Sequence, residues 1–304
     1  MDVSIIIINY NTFDLVKDCI NSIYNQTFNL EFEIIVVDNK SPNRDIEMLK
    51  GIFPNITLIL NNSNSGFGVG NNIGAKVASG RNLFFLNSDT LLINNAITTL
   101  SEFLDYNEDV AIAGGNLYNA KLQPATSFSQ VMPGIFAEID NFFGNVFSKI
   151  LYFNKINFNN TESFIYVKGF ISGADMMMKR NVYQILDGFD EDFFMYYEET
   201  ELSARVKKLG YRIANIPQAK IIHLEGASES IQKNTALRSY ASKFLYFKKT
   251  GSLKTLPICR LIFKLAAIQR RFLFLLMGKG DKSVYWSNLF KWESEAYLIF
   301  RTAK

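Results

Sequence analysis

The chain opens on a continuous β-branched run, Ser4–Ile8, that stops at Asn9-Tyr10-Asn11. A run without polar alternation reads as a strand buried on both faces, as in a parallel sheet. Apolar spacing at Leu15, Val16, Cys19, Ile20 and Ile23 then fits an amphipathic helix. The alternation continues with a strand at Glu33–Val37 ending in Asp38-Asn39, a helical stretch over 43–52, and a strand at Ile56–Leu60. A Gly/Asn-rich loop follows over 64–72. Gly70–Ser79 fits a further helix, and a strand at Leu83–Leu86 is cut at Asn87-Ser88-Asp89. Strand and helix alternating at this spacing predict βαβ units, an α/β fold with a mainly parallel sheet flanked by helices. Residues 116–165 are rich in Phe and Asn with weak periodicity, and read as a variable lid or acceptor region. Order returns with a strand at Ile171–Lys179, a helix at Thr200–Leu209 closed by Gly210, and two short strands, Tyr211–Ala214 and Ile221–His223.

Composition adds little until charge is mapped. With 48% apolar and 20% charged residues, a chain of 304 residues buries a core without disulfides. Cys19 and Cys259 fit no metal spacing and read as reduced bystanders. Met1 leads straight into Asp2-Val3-Ser4, with no basic, apolar leader, which points to a cytoplasmic location. No stretch approaches the roughly 18 apolar residues of a membrane-spanning helix. The net charge of +3 conceals an asymmetry. From Arg238 onward, 14 Lys/Arg stand against 3 Asp/Glu, a net +11, whereas residues 1–237 carry −8. The chain thus divides into an acidic body, 1–237, and a basic, aromatic, helical segment, 238–304.

In open α/β sheets, ligands sit beyond the carboxyl ends of the strands. Asn9-Tyr10-Asn11, Asp38-Asn39 and Asn87-Ser88-Asp89 all fall there. One such ending is a helix cap or a turn; three on one rim point to a ligand. Asp38 suits hydrogen bonds from a base or ribose, and Asp89 suits a divalent cation on a diphosphate. Gly66, Gly68 and Gly70 permit close backbone approach but lack dinucleotide or P-loop spacing, so a plain turn and a ligand cradle both fit. In Tyr196-Tyr197-Glu198-Glu199-Thr200-Glu201, acids at a helix N-terminus complement the macrodipole, which accounts for Glu201. Glu198 and Glu199 follow the aromatic run Phe193–Tyr197, where desolvation raises a carboxyl pKa and makes a usable general base. His223, the sole histidine, fits a structural role and a metal site equally. Imidazole with carboxylates suits Mn²⁺ better than pure Mg²⁺ coordination.

These pieces, in this order, resemble the inverting glycosyltransferases of family 2, which share the GT-A fold. The matching stretches are Ser4–Asn11, Ile35–Ser41, Asn64–Asn71 and Phe85–Asp89, then Gly173-Ala174 through Gly188–Phe194 to His223. The likeness covers roughly residues 3–226 and looks nearest to a rhamnosyltransferase-like branch. It implies that Tyr10 and Asp38 hold the nucleotide base and ribose. Asn9, Asn11, Gly66, Phe67, Asn71, Asn87 and Ser88 complete the donor site. It also implies Asp89 and His223 as ligands of Mn²⁺ or Mg²⁺, and Glu199, with Glu198 beside it, as catalytic base. Gly173, Ala174 and Asp175 would meet the acceptor. Two departures stand out: Asn87 replaces the first Asp of the family's Asp-x-Asp, and Glu199 replaces the Asp of its Glu-Asp pair. The donor implied is dTDP-rhamnose or a UDP-sugar, and the acceptor a glycan, including one on a polyprenyl diphosphate.

The basic segment interleaves Phe244, Tyr246, Phe272, Phe274, Tyr285 and Trp286 with Lys and Arg. That pattern suits a helix lying on an anionic membrane surface, with the protein peripheral to the membrane. A homodimer interface fits the same pattern. No nucleic-acid motif accompanies the charge. Two other functions are compatible with a nucleotide-binding sheet. A sugar-nucleotide nucleotidyltransferase should carry a Gly-rich basic loop after the first strand, where Asn9–Thr12 stands instead. A non-catalytic nucleotide-sugar-binding protein would explain the two departures.

Overall fold

The β-branched run forms β1 (Val3–Asn9), followed by α1 (Phe13–Gln26), β2 (Phe32–Asp38), α2 (Leu49–Ile52) and β3 (Thr57–Leu60). The structure, a computed structural model, describes residues 1–43, 45–153, 159–161, 163–224 and 233–302. Next come α3 (Gly66–Val77), β4 (Asn82–Asn87), β5 (Thr90–Leu92), α4 (Ala96–Tyr106), β6 (Val110–Tyr118) and β7 (Phe128–Ser129). Then follow α5 (Ile135–Phe142), α6 (Val146–Leu151), β8 (Ile165–Tyr166), β9 (Phe170–Ile171), β10 (Asp175–Lys179) and α7 (Arg180–Ile185). The chain closes with α8 (Glu198–Lys208), β11 (Arg212–His223), α9 (Lys233–Lys249), α10 (Leu256–Leu276) and α11 (Gly280–Thr302).

Two compact units result. The first comprises Met1–Gln130, Asn157–Phe194 and Glu198–Ser228; the second comprises Val131–Ile156, Met195–Tyr197 and Glu229–Lys304. In the first unit the main sheet runs β3-β2-β1-β4-β10-β6-β11-β5, with β8 also on β11. Pairs β1/β2, β1/β4, β2/β3 and β6/β11 are parallel, while β10 runs antiparallel to both β4 and β6. Helices cover both faces, which is why β1 shows no polar alternation. Ile5 and Ile7 pack with Val16, Ile20 and Ile23 of α1 and Leu100 of α4. Ile6 turns the other way, to Val37, Phe85, Met176, Val182 and Leu202. Each fully buried Ile contributes roughly 1.5–3 kcal/mol over its exposed state.

Several elements differ from the sequence expectation for physical reasons. The Gly-rich stretch is helix, not loop, from Gly66 onward. A Cβ added to Gly74 would lie 2.6 Å from Ile6 Cγ2, and one on Gly70 3.1 Å from Ile8 Cδ1. The glycines therefore let α3 press its backbone onto β1, and packing overrides their poor helix propensity. The strand expected at Ile171–Lys179 is broken by a turn at Gly173-Ala174 into β9 and β10. Tyr211–Ala214 and Ile221–His223 belong to one strand, β11, whose register against β6 shifts between Asn215 and Lys220. Pro217 falls in that irregular stretch, where a missing N–H is tolerated. Asp45–Met48 is a single 3₁₀ turn before α2. Cys19 and Cys259 are both free and buried, and burial pushes the Cys19 thiol up to about 12.

In the second unit α9 and α10 pack on α11, and α5 packs on α10. Phe244, Phe247, Phe263, Ala266 and Ala267 are buried there. Much of the basic charge is used internally. Arg260 Nε donates to Glu293 Oε1 at 2.5 Å and its guanidinium covers the Tyr297 ring, Lys243 pairs with Glu138, and Arg270 donates to the Asn141 carbonyl. Among the described residues, no helix is long and apolar enough to cross a membrane.

Candidate active site

The parallel register brings Asn9 of β1 beside Asp38 of β2 at the carboxyl edge of the sheet. Asn9 Nδ2 donates to Asp38 Oδ1 at 2.6 Å and to Ser41 Oγ at 3.0 Å. Asn9 Oδ1 accepts from the Thr12 amide and hydroxyl, and Ser88 Oγ lies 3.2 Å from Thr12 Oγ1, within hydrogen-bonding distance. Asp38 also accepts from the Ser41 hydroxyl at 2.6 Å and amide at 3.0 Å. These side chains tie three loops into one floor. Asn9 and Asp38 are only 1% and 5% exposed, whereas the neighbouring Tyr10 is 49% exposed. Asn11 sits at φ +59°, the left-handed turn that Asn tolerates. Sequence reasoning left Thr12 and Ser41 out of the site, although short polar residues just past strand ends are the usual signal of such turns.

Along the rim, Asn87 N–H donates to the Ala174 carbonyl at 3.0 Å, and Leu224 N–H donates to the Asp89 carbonyl at 2.9 Å. The second bond holds the end of β11 against the β4–β5 turn. It places His223 Nε2 3.3 Å from Asp89 Oδ1 and 3.4 Å from Asn87 Nδ2. Side chains of both His223 and Asp89 are mostly shielded, at 13% and 15% exposure. One carboxylate oxygen and one imidazole nitrogen at this separation fit two ligands of a single borderline cation. Among the described residues no cluster of three His, Cys, Asp or Glu forms. Such a pair suits a cation that completes its shell with substrate phosphate and water.

The Gly-rich start of α3 meets protein. A Cβ on Gly66 would lie 2.0 Å from the Phe194 carbonyl oxygen, and Phe67 N–H donates to that oxygen at 2.9 Å. Gly66 itself has φ +84°. Gly66→Ala is therefore expected to lower unfolding free energy by about 1–3 kcal/mol or more, read by chemical denaturation. Asn71 Nδ2 donates to the Phe67 carbonyl at 3.0 Å, and its buried Oδ1 has no hydrogen-bond partner among the described residues. Asn72 accepts from Phe189 N–H and Tyr183 OH, and Arg205 donates to the Leu186 and Gly188 carbonyls while pairing with Glu201 at 2.8 Å. Glu201 is thus an anchor for the segment leading to Phe194, a pairing that sequence reasoning missed.

That anchored segment delivers Glu198 and Glu199. Tyr196 and Tyr197, just before them, both adopt left-handed backbone at φ +72° and +68°, unusual for bulky residues. Glu198 is 5% exposed, and its Oε2 has no partner among the described residues. Burial, then repulsion by Glu199, pushes its carboxyl well above the usual range. Glu199 is half-buried, accepts from Thr200 Oγ1 at 3.2 Å, and is also raised by burial. A Cβ on Gly173 would sit 3.8 Å from both Glu199 and Phe67, so Glu199 borders the Gly173-Ala174 turn. Glu198 lies deeper, its Cβ 3.7 Å from where a Cβ on Gly68 would stand.

Asp175 has no exposed surface, and its Oδ2 accepts from Gly115 N–H at 2.6 Å, so it supports the turn from below and cannot touch an acceptor. Burial raises its carboxyl well above the usual range. A raised folded-state pKa gives stability that is full below the unfolded pKa and is lost as pH rises through the folded one. Asp175→Asn is expected to flatten that decline, which sets in as pH rises above the ordinary 3.8, in denaturant titrations run across pH. A cavity of about 380 Å³ opens at the opposite strand ends, by Asn82 and Lys179. There Arg81 pairs with Asp105 at 2.7 Å and also with Asp2, and Lys179 Nζ donates to the Asn107 and Glu108 carbonyls, so the charges are spent within the protein.

A mostly parallel sheet with antiparallel β10 inserted between β4 and β6 and antiparallel β5 and β8 on β11, polar residues along its carboxyl rim and a carboxylate-bearing helix beside it define a GT-A glycosyltransferase fold. Residues 4–185 match the glycosyl transferase family 2 model, and the chain belongs to that family. It is 31% identical over 141 residues, 44% of its length, to 22% of a poly(ribitol-phosphate) beta-glucosyltransferase of Bacillus spizizenii. Over 55 residues, 18% of each chain, it is 34% identical to an N-acetylglucosaminyl-diphospho-decaprenol L-rhamnosyltransferase of Mycobacterium tuberculosis. The chain thus spans 22% and 18% of these two relatives. In three dimensions 99% of it aligns, at 15% identity and TM-score 0.61, with 87% of a Pyrobaculum calidifontis mannosyltransferase solved with GDP-Man and Mn²⁺.

Proposed function

We propose that this chain is an inverting glycosyltransferase. It moves a sugar, rhamnose in the favoured case, from a nucleotide donor to a hydroxyl of a lipid-linked or polysaccharide-precursor glycan. The observation that carries this reading is the set of contacts gathered along one rim. They run from Asp38 through Asn9, Thr12 and Ser88, and from the Asp89–His223 pair through Asn87 to the Ala174 carbonyl, with Glu199 bordering the same turn at Gly173. The rhamnosyl donor and the polyprenyl acceptor draw support from the branch resemblance and from the relative in Mycobacterium tuberculosis.

In this reading the exposed Tyr10 ring stacks on the base, and the floor fixed by Asn9 and Asp38 receives the ribose. Asp89 and His223 would hold Mn²⁺ or Mg²⁺, which supplies charge neutralisation at the diphosphate leaving group. Glu199, raised by burial yet open to the Gly173 turn, takes the proton of the acceptor hydroxyl as that oxygen attacks the anomeric carbon. Buried Glu198 stays protonated beside it, because two adjacent carboxylates do not both ionise at low cost. A single displacement from the face opposite the diphosphate inverts the anomeric centre. A thermal-shift panel of dTDP-rhamnose and UDP-hexoses, each with Mn²⁺ or Mg²⁺, tests donor binding. One donor should raise Tm by several degrees in a metal-dependent way. No shift with any donor contradicts the reading.

A further inference from the structure

Helix α10 has two apolar faces, and only one is covered. Leu256, Cys259, Phe263, Ala266 and Ala267 are buried within the second unit. On the other side Ile258, Leu261, Leu265, Ile268, Phe272 and Leu275 recur at three- and four-residue spacing, and all are 49–62% exposed. Residues at that spacing share one helix face, so these six form a continuous apolar stripe along the helix. A soluble monomer normally shows large apolar side chains singly.

Charge decides what covers the stripe. Helix α10 contains four Arg/Lys and no Asp or Glu. Arg260 and Lys264 turn toward the nearly buried Glu293, at 2.5 and 3.8 Å. Arg271 beside the stripe, Lys254 before the helix and Lys279 after it are exposed. A second copy docking through the same stripe would set this basic flank near its own counterpart, with no acid on the helix to answer it. An anionic bilayer offers apolar depth and negative charge together. We infer that α10 lies in the plane of a membrane, with the Ile258–Leu275 stripe in the acyl boundary and Arg271, Lys254 and Lys279 on anionic headgroups. This deepens the proposed lipid-linked acceptor, yet it is measured without any sugar transfer.

The test is co-sedimentation of the full chain with vesicles of equal phosphatidylglycerol and phosphatidylcholine, and with pure phosphatidylcholine, at low and high salt. Wild type should pellet with the anionic vesicles at low salt and be released as salt rises. A Leu265→Ser/Phe272→Ser variant should partition about tenfold less or weaker still, and Arg271→Glu should weaken binding to anionic vesicles alone. Both variants should keep the wild-type melting temperature and the donor-induced thermal shift, since no altered residue lies on the rim. Failure of wild type to bind anionic vesicles, or undiminished binding by the double variant, overturns the inference. So does a lipid-free dimer in sedimentation velocity that the double variant converts to monomer. Loss of the donor shift in wild type would instead count against the transferase reading and leave the docking result standing.

Discussion

Glu199→Gln is expected to lower kcat about 10²–10⁴-fold while the protein keeps its fold and its donor affinity. Glutamine preserves the shape of the side chain and its contact with Thr200 but cannot accept the acceptor's proton. The pH profile carries the same signature. The base must be ionised, so the wild-type rate should climb with pH through the raised Glu199 pKa, above the 4.5 of an ordinary glutamate. Glu198→Gln separates the two carboxyls. Burial, not the neighbouring carboxyl, raises Glu199, so in Glu198→Gln catalysis should persist with that limb little moved. A Glu199→Gln enzyme with near-wild-type turnover would reassign the base.

Asp89→Ala is the second large effect. It removes the carboxylate of the Asp89–His223 pair and should abolish the Mn²⁺-dependent part of the donor-induced thermal shift. Turnover should fall on the order of 10²-fold or more. The backbone bond from Leu224 N–H to the Asp89 carbonyl survives the change, so the strand end and the melting temperature should be kept. His223→Ala should act in the same direction, more weakly, because a neutral ligand contributes less than a charged one at a diphosphate. Metal-dependent donor binding that is intact in Asp89→Ala would move the cation elsewhere on the rim.

Much of this was legible in the chain because it is local. Ser4–Ile8 read as a doubly covered strand, and polar residues directly after three such strands marked the rim. Non-local geometry was hidden. Gly66 and Gly68 of α3 read as a loop because nothing near them in sequence says that Phe194 and Phe189 require their missing side chains. Glu201 read as a helix-end charge, whereas its partner Arg205 also grips the carbonyls of residues 186 and 188. The basic segment as a whole read as membrane-facing, whereas Arg260 within it is spent on Glu293, 33 residues away. Asp175 stood in a matching motif, yet only the sheet order reveals that it is sealed between β4 and β6. Sequence thus located the chemistry better than it separated groups that touch substrate from groups that hold the site in place.

The central claim is one displacement at the anomeric carbon, on this rim, with Glu199 as base. Proton NMR of the donor during turnover with Mn²⁺ and a glycan acceptor tests it most directly. The anomeric signal of the transferred sugar should first appear with configuration opposite to that of the donor, and should vanish in Glu199→Gln. A product that retains the donor configuration would contradict the account.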